Sequence, residues 1–238
     1  MKKLLISGAV LLGMSFTLGC AEDSLGRWCT FDDSSFDIEE VSVLEDAMGE
    51  VNVHDAIVID YDVSSLAETA TWRVGSVDAL IMVPQSQFEQ YPDSITLAVE
   101  VFDASSPTLA TPWVVEQVLN KADLVWEDVT LTSPDLQTEL TQKQAWWSFD
   151  FTDVIPESGM TSTTYVVGLY WRAGNLPSVG YSNFNRPCDR NWTDYSDGLG
   201  WILNSERFTG LGTPQPNSCN WPMLRVNVEV REERSNCP

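Results

Sequence analysis

Between Tyr170 and Trp221 the chain interleaves aromatic rings with amides, arginines and carboxylates: Tyr170-Trp171-Arg172, Gly180-Tyr181-Ser182-Asn183-Phe184-Asn185-Arg186, Arg190-Asn191-Trp192-Thr193-Asp194-Tyr195, Gly200-Trp201 and Asn220-Trp221. A sugar ring offers an apolar face of C–H groups rimmed by hydroxyls, so its binder needs a flat aromatic surface beside directional polar groups. Arg190, Asn191, Trp192, Asp194 and Tyr195 supply that combination in six residues, and Trp201 follows closely. Trp192 and Tyr195 lead because their sequence neighbourhood is polar, which favours exposure. The same residue types also have a structural use, since loop aromatics plug the open end of a sandwich while Arg and Asn tie down backbone carbonyls. Trp147 and Trp171, in contrast, share parity with the apolar residues of strand-like runs and are expected in the core.

Hard oxygen donors at short spacing suit calcium, and Asp194 and Asp197, with carbonyls near Gly198, are the candidate ligands; no EF-hand loop is present. No catalytic motif is found. The single histidine, His54, stands beside Asp55, and neither a GxSxG elbow nor HExxH nor a phosphate-cradling GxxxxGK[ST] occurs. Among 35 acidic residues some carboxylate pair must fall at a glycosidase-like separation by chance, so no pair is nominated. The chain is therefore not read as an enzyme.

The acids face 13 bases, giving a net charge of -22 and a pI near 4.1, which excludes a nucleic-acid partner because phosphate backbones require clustered Lys and Arg. Met1-Lys2-Lys3, an apolar run from Leu4 to Leu18, and Gly19-Cys20 read as an export signal over residues 1–19. The run is shorter than the roughly 20 residues of a membrane-spanning helix. Thr17-Leu18-Gly19-Cys20 resembles the lipobox of bacterial lipoproteins, with Thr17 where Leu is usual, and an ordinary cleaved signal peptide is the alternative. The resemblance implies cleavage before Cys20, lipid attachment to it, and a membrane partnership through that anchor. Ala21 resembles the second mature residue of lipoproteins sorted to the outer membrane, so the expected location is the cell envelope, at the outer membrane or cell surface.

Setting Cys20 aside leaves Cys29, Cys188, Cys219 and Cys237, an even number that suits disulfides in an oxidising exterior. Four cysteines pair in three ways. Domain termini often lie close together, which favours Cys29 with Cys237 and leaves Cys188 with Cys219.

Residues 20–40 are polar and acidic and read as a tether and domain entry; residues 41–238 read as one domain. There the period is mostly two. Ile57, Ile59, Tyr61 and Val63 alternate with Val58, Asp60 and Asp62, and Ile95, Leu97, Val99 and Val101 with Thr96, Ala98 and Glu100. Trp147, Phe149 and Phe151 continue the pattern, as do Tyr165, Val167, Leu169 and Trp171, and Leu224, Val226, Val228 and Val230. Thr111 to Trp126 is ambiguous and is allowed one short helical turn. Strand-sized runs with Pro, Gly, Asp and Asn punctuation and no αβ alternation predict an all-β antiparallel β-sandwich, disulfide-stapled, with at most short helical turns.

The order ITLAVEVFDA (residues 95–104), WWSFDFTDVIP (146–156) and TTYVVGLYW (163–171) resembles the jelly-roll sandwich of galactose-binding-like domains and carbohydrate-binding modules, over roughly residues 70–230. The resemblance implies a jelly roll, a glycan or envelope polymer as ligand, and in many such modules a structural calcium. Two further readings stand beside glycan binding: a structural or adhesive surface lipoprotein without a small-molecule site, and a hydrolase.

Overall fold

The computed structural model describes residues 29–32, 41–44, 53–60, 70–133, 138–171, 179–182, 188–194, 196–207 and 222–231. In chain order the strands are β1 (Cys29–Asp32), β2 (Val41–Leu44), β3 (Val53–Asp60), β4 (Thr71–Pro84), β5 (Ser94–Phe102), β6 (Trp113–Asn120) and β7 (Glu127–Ser133). They continue with β8 (Thr138–Asp150), β9 (Thr164–Trp171), β10 (Val179–Ser182), β11 (Asn191–Asp194), β12 (Ile202–Leu203) and β13 (Leu224–Arg231). Helix among the described residues is confined to one or two turns at a time, including α1 (Asn204–Arg207) and the 3₁₀ segments Gln85–Gln90 and Cys188–Arg190. No described helix is long and apolar enough to cross a membrane.

Alternation along each strand leaves one set of side chains to bury, and two antiparallel sheets bury theirs against each other. One sheet has seven strands, the other six in the order β12-β11-β3-β9-β5-β6. The seven-stranded sheet is organised by β4. Its one edge pairs with β8 over Ser76–Pro84; the other edge is shared by β13, over Thr71–Ala79, and β10, at Ile81. A register shift between Asn227 and Val228 marks a bulge that changes the phase of β4, so that Trp72 and Val74 before it and Val77, Ala79 and Ile81 after it all face inward. Ile57, Leu97, Val99, Val167 and Leu169 meet them from the six-stranded sheet, and Tyr165, Phe149 and Phe151 are wholly buried. Trp171 is 5 % exposed in this core and Trp147 packs against it, as their parity predicts.

The stretch Thr111 to Trp126 contains a strand, β6, instead of a helical turn. Pairing with β5 along its whole length satisfies the backbone groups on its inner edge, and Leu119 faces the core while Val114 and Val118 stand 45 % and 61 % exposed. On the outside of the seven-stranded sheet, Trp146 packs on Leu80, Met82 and Met223, with the Arg225 guanidinium 3.9 Å from its ring centroid. β1 lies against β13 with Cys29 opposite Val230, which brings the N-terminal strand beside the C-terminal one. Cys219 and Cys237 lie outside the described residues.

Two glycines with left-handed backbones separate the cost of strain from the cost of crowding. A Cβ on Gly159 (φ +74°) would stand 2.5 Å from the carbonyl oxygen of Trp72, whereas one on Gly198 (φ +85°) meets nothing within 4 Å. Gly198→Ala should therefore lower stability by about 1 kcal/mol, the backbone cost alone. Gly159→Ala should lose well over about 2 kcal/mol, since a backbone clash adds to it. Urea unfolding midpoints of the two variants make the comparison, and equal losses would show that the turn at Gly159 yields without cost.

Candidate functional site

The inward parity of Ile57 and Ile59 in β3 sends His54, Ala56, Val58 and Asp60 to the outer face of the six-stranded sheet. Register then sets their neighbours. One row across the sheet runs Trp192, Ala56, Gly168, Glu100, Val114; the next runs Asp194, His54, Tyr170, Ala98, Glu116. Small residues in the middle of the first row leave the centre of the face low. Gly168 is required there, because a Cβ would come within 2.9 Å of the Ala56 Cβ and 3.2 Å of the Asp55 carbonyl.

Over this floor the His54 imidazole reaches across β9, and its Nδ1 lies 2.9 Å from Glu100 Oε2. The Glu100 side chain is only 7 % exposed and that of His54 22 %. A carboxyl group so enclosed is costly without a hydrogen-bond partner, and His54 supplies one. Tyr170 stacks on the imidazole at 4.0 Å between centroids and 15° between planes. Trp201 meets His54 edge-on at 5.5 Å and Phe102 at 5.8 Å. Trp192 and Trp201, both half-buried, pack on the outer cluster of Ala56, Val58, Phe102 and Val166. The segment that carries Trp201 turns through left-handed backbone at Ser196 (φ 53°), Gly198 and Gly200 (φ 70°), and exposes Leu199.

The structure divides the residues proposed from sequence between two faces. Trp192 and Asp194 point outward with His54, and Trp201 joins them. Asn191 and Thr193, at the alternate positions of β11, point into the interior. Asn191 is fully buried and its Nδ2 donates to Asp55 Oδ1 at 3.0 Å; Thr193 Oγ1 donates to Asn204 Oδ1 at 2.5 Å. Asn191 thus fastens β11 to β3 from inside and Thr193 ties it to α1, so Asn191 positions the strand and takes no place on the surface. Arg190 pairs with Asp60 at the rim of the same outer face. Asp194 Oδ1 accepts the Ser196 N–H and Asp197 Oδ1 the Leu199 N–H, each closing its own turn. Among the described residues no group of three or more His, Cys, Asp or Glu is placed to hold a metal ion. Cys29 opens β1 in one sheet, while Cys188 opens the turn that leads into β11 in the other. Cys20 and Tyr195 lie outside the described residues.

His54, Glu100 and Tyr170 are the site residues that motif reasoning missed. His54 and Asp55 are adjacent in sequence and face opposite sides of the sheet, so they form no catalytic pair; the partner is Glu100, 46 residues away. The outward parity of Glu100 against Leu97, Val99 and Val101 was the available signal. Compared with known proteins, the chain matches no family profile, no characterised sequence and no solved structure.

At the rim, the Thr164 hydroxyl and then the Arg190 guanidinium hold the Asp60 carboxyl below its ordinary value. A group lowered in the folded state stabilises the fold above its unfolded value, and that contribution is lost as pH falls through the folded value. Thr164→Val should raise the Asp60 titration midpoint measured by carboxyl NMR and weaken the pH dependence of stability below 3.8. An unmoved midpoint would show that the hydroxyl does not bind the carboxylate in solution.

Proposed function

We propose that this protein is an exported, lipid-anchored cell-envelope protein whose jelly-roll-like β-sandwich binds a glycan or envelope polymer on the outer face of its six-stranded sheet. One observation carries the reading: two half-buried indoles, Trp192 and Trp201, share that face with the polar groups of His54 and Asp194. Indole faces pack on sugar C–H groups, and the imidazole and carboxylate offer directional contacts to hydroxyls. A flat sheet face with a low centre suits an extended polymer better than a small molecule that needs enclosure. The register at β1 and β13 supports a Cys29–Cys237 disulfide, and elimination among the four cysteines leaves Cys188 with Cys219 as the second pair. In the loop-entropy account, closing so long a loop contributes on the order of 3–5 kcal/mol. The anchor rests on the lipobox-like segment ending at Cys20.

Two experiments test the proposal at separate points. Cys20→Ser should abolish lipid labelling and release the protein from the membrane fraction; unchanged membrane retention would refute the anchor. In pull-downs with insoluble polysaccharides, Trp192→Ala should weaken binding by about 1–3 kcal/mol, the value of an apolar ring contact. Failure of the intact protein to bind any of them, or full binding by a folded Trp192→Ala variant, would refute the binding face.

A further inference from the structure

We infer that His54 is the specificity-determining acceptor of this face, presenting its Nε2 to a hydroxyl of an uncharged sugar; this rests on the carbohydrate reading above and names the ligand class that reading would take. The argument begins with the hydrogen bond to Glu100. With Glu100 as the carboxylate, an acceptor only, the 2.9 Å contact takes its proton from Nδ1 and leaves the Nε2 lone pair available in the neutral ring. Nε2 makes no hydrogen bond among the described residues, and about a fifth of the side chain is exposed.

A flipped ring would keep its stacking but place a carbon against the Glu100 carboxylate, so the hydrogen bond decides which nitrogen faces outward. Tyr170 lies parallel to one face at 4.0 Å, and the Trp201 edge closes on it at 5.5 Å. A fixed acceptor selects a donor, and every neutral sugar carries hydroxyl donors. The acidic neighbours select against anions: Asp194 stands directly across from His54 and Glu100 contacts its ring, while Arg190 at the rim is taken up by Asp60. In a chain of net charge -22, uronate polymers meet repulsion at the site and around it. A neutral hexose or pentose polymer meets an indole surface and one oriented acceptor.

The single histidine makes the test direct, because its imidazole nitrogens are assignable in a long-range ¹H–¹⁵N spectrum without mutagenesis. At about pH 8, where a free imidazole is neutral, the intact protein should show the Nδ1–H form, and Glu100→Gln should lose that preference. Binding is read in parallel by affinity electrophoresis against soluble laminarin, mannan, starch and xylan, with alginate and polygalacturonate as the anionic probes. Retardation should be confined to neutral polymers. It should fall about three- to tenfold in the combined variant His54→Phe with Glu100→Leu, which keeps an apolar filled site and leaves no carboxyl group unpaired. A dominant Nε2–H form in the intact protein, tighter binding of alginate, or undiminished binding by the folded double variant each overturns the inference while leaving the carbohydrate reading standing. Absence of binding to all six polymers refutes both.

Discussion

A β-strand gives one side chain to each face in turn, and in this protein two sheets use one of those faces to bury each other. Along the described central strands that constraint removes alternate side chains from contact with anything outside. The interior set is apolar almost throughout, from Ile57 and Val99 on one side to Val77 and Phe149 on the other. What chemistry remains must be carried by the alternate set, and its arrangement is fixed by strand register, since outside the β4 bulge neighbouring residues of a strand face opposite sides.

On the six-stranded sheet the outward set is not an ordinary wet surface. Ala56 and Gly168 keep its centre low, Phe102, Val58 and Val166 make part of it apolar, and two indoles lie over that part. A glutamate within such a surface is enclosed, and the contact from His54 makes it tolerable. The enclosure therefore couples the residues: Gly168 clears the path over β9, Glu100 holds the imidazole, Tyr170 and Trp201 confine it. The outer face of the seven-stranded sheet shows another solution, with Trp146 capped by Arg225 over methionine and leucine. There the ring is taken up by the Arg225 cation, whereas among the described residues the six-stranded face sets two half-buried indoles beside hydrogen-bonding groups.

Much of the fold can be read from parity. The runs at Ile95 to Val101, Tyr165 to Trp171 and Leu224 to Val230 carry large apolar residues at every second position and form β5, β9 and β13. β4 cannot be read that way. Its bulge shifts the phase midway, and Leu80 and Met82 are buried on the outside as well, so the segment carries apolar residues on both sets. β6 hid for a different reason: Val114 and Val118 are exposed, and their four-residue spacing from each other imitates a helical face. The candidate site was half visible. Trp192, Asp194 and Trp201 were marked by composition, but composition ignores the face, and it included Asn191, whose amide is inside. The His54–Glu100 contact depends on which strands lie side by side, and nothing local in sequence specifies that β9 separates β3 from β5 by a single glycine-bearing strand.

The central claim is that binding takes place on the outer face of the six-stranded sheet. Indole N–H signals, assigned by substitution, can be followed while a soluble neutral polysaccharide is titrated into uniformly ¹⁵N-labelled protein. The account predicts saturable shifts of the Trp192 and Trp201 indoles, with Trp171 in the core and Trp146 on the opposite sheet unmoved. Saturable shifts at Trp146, with Trp192 and Trp201 silent, would contradict it.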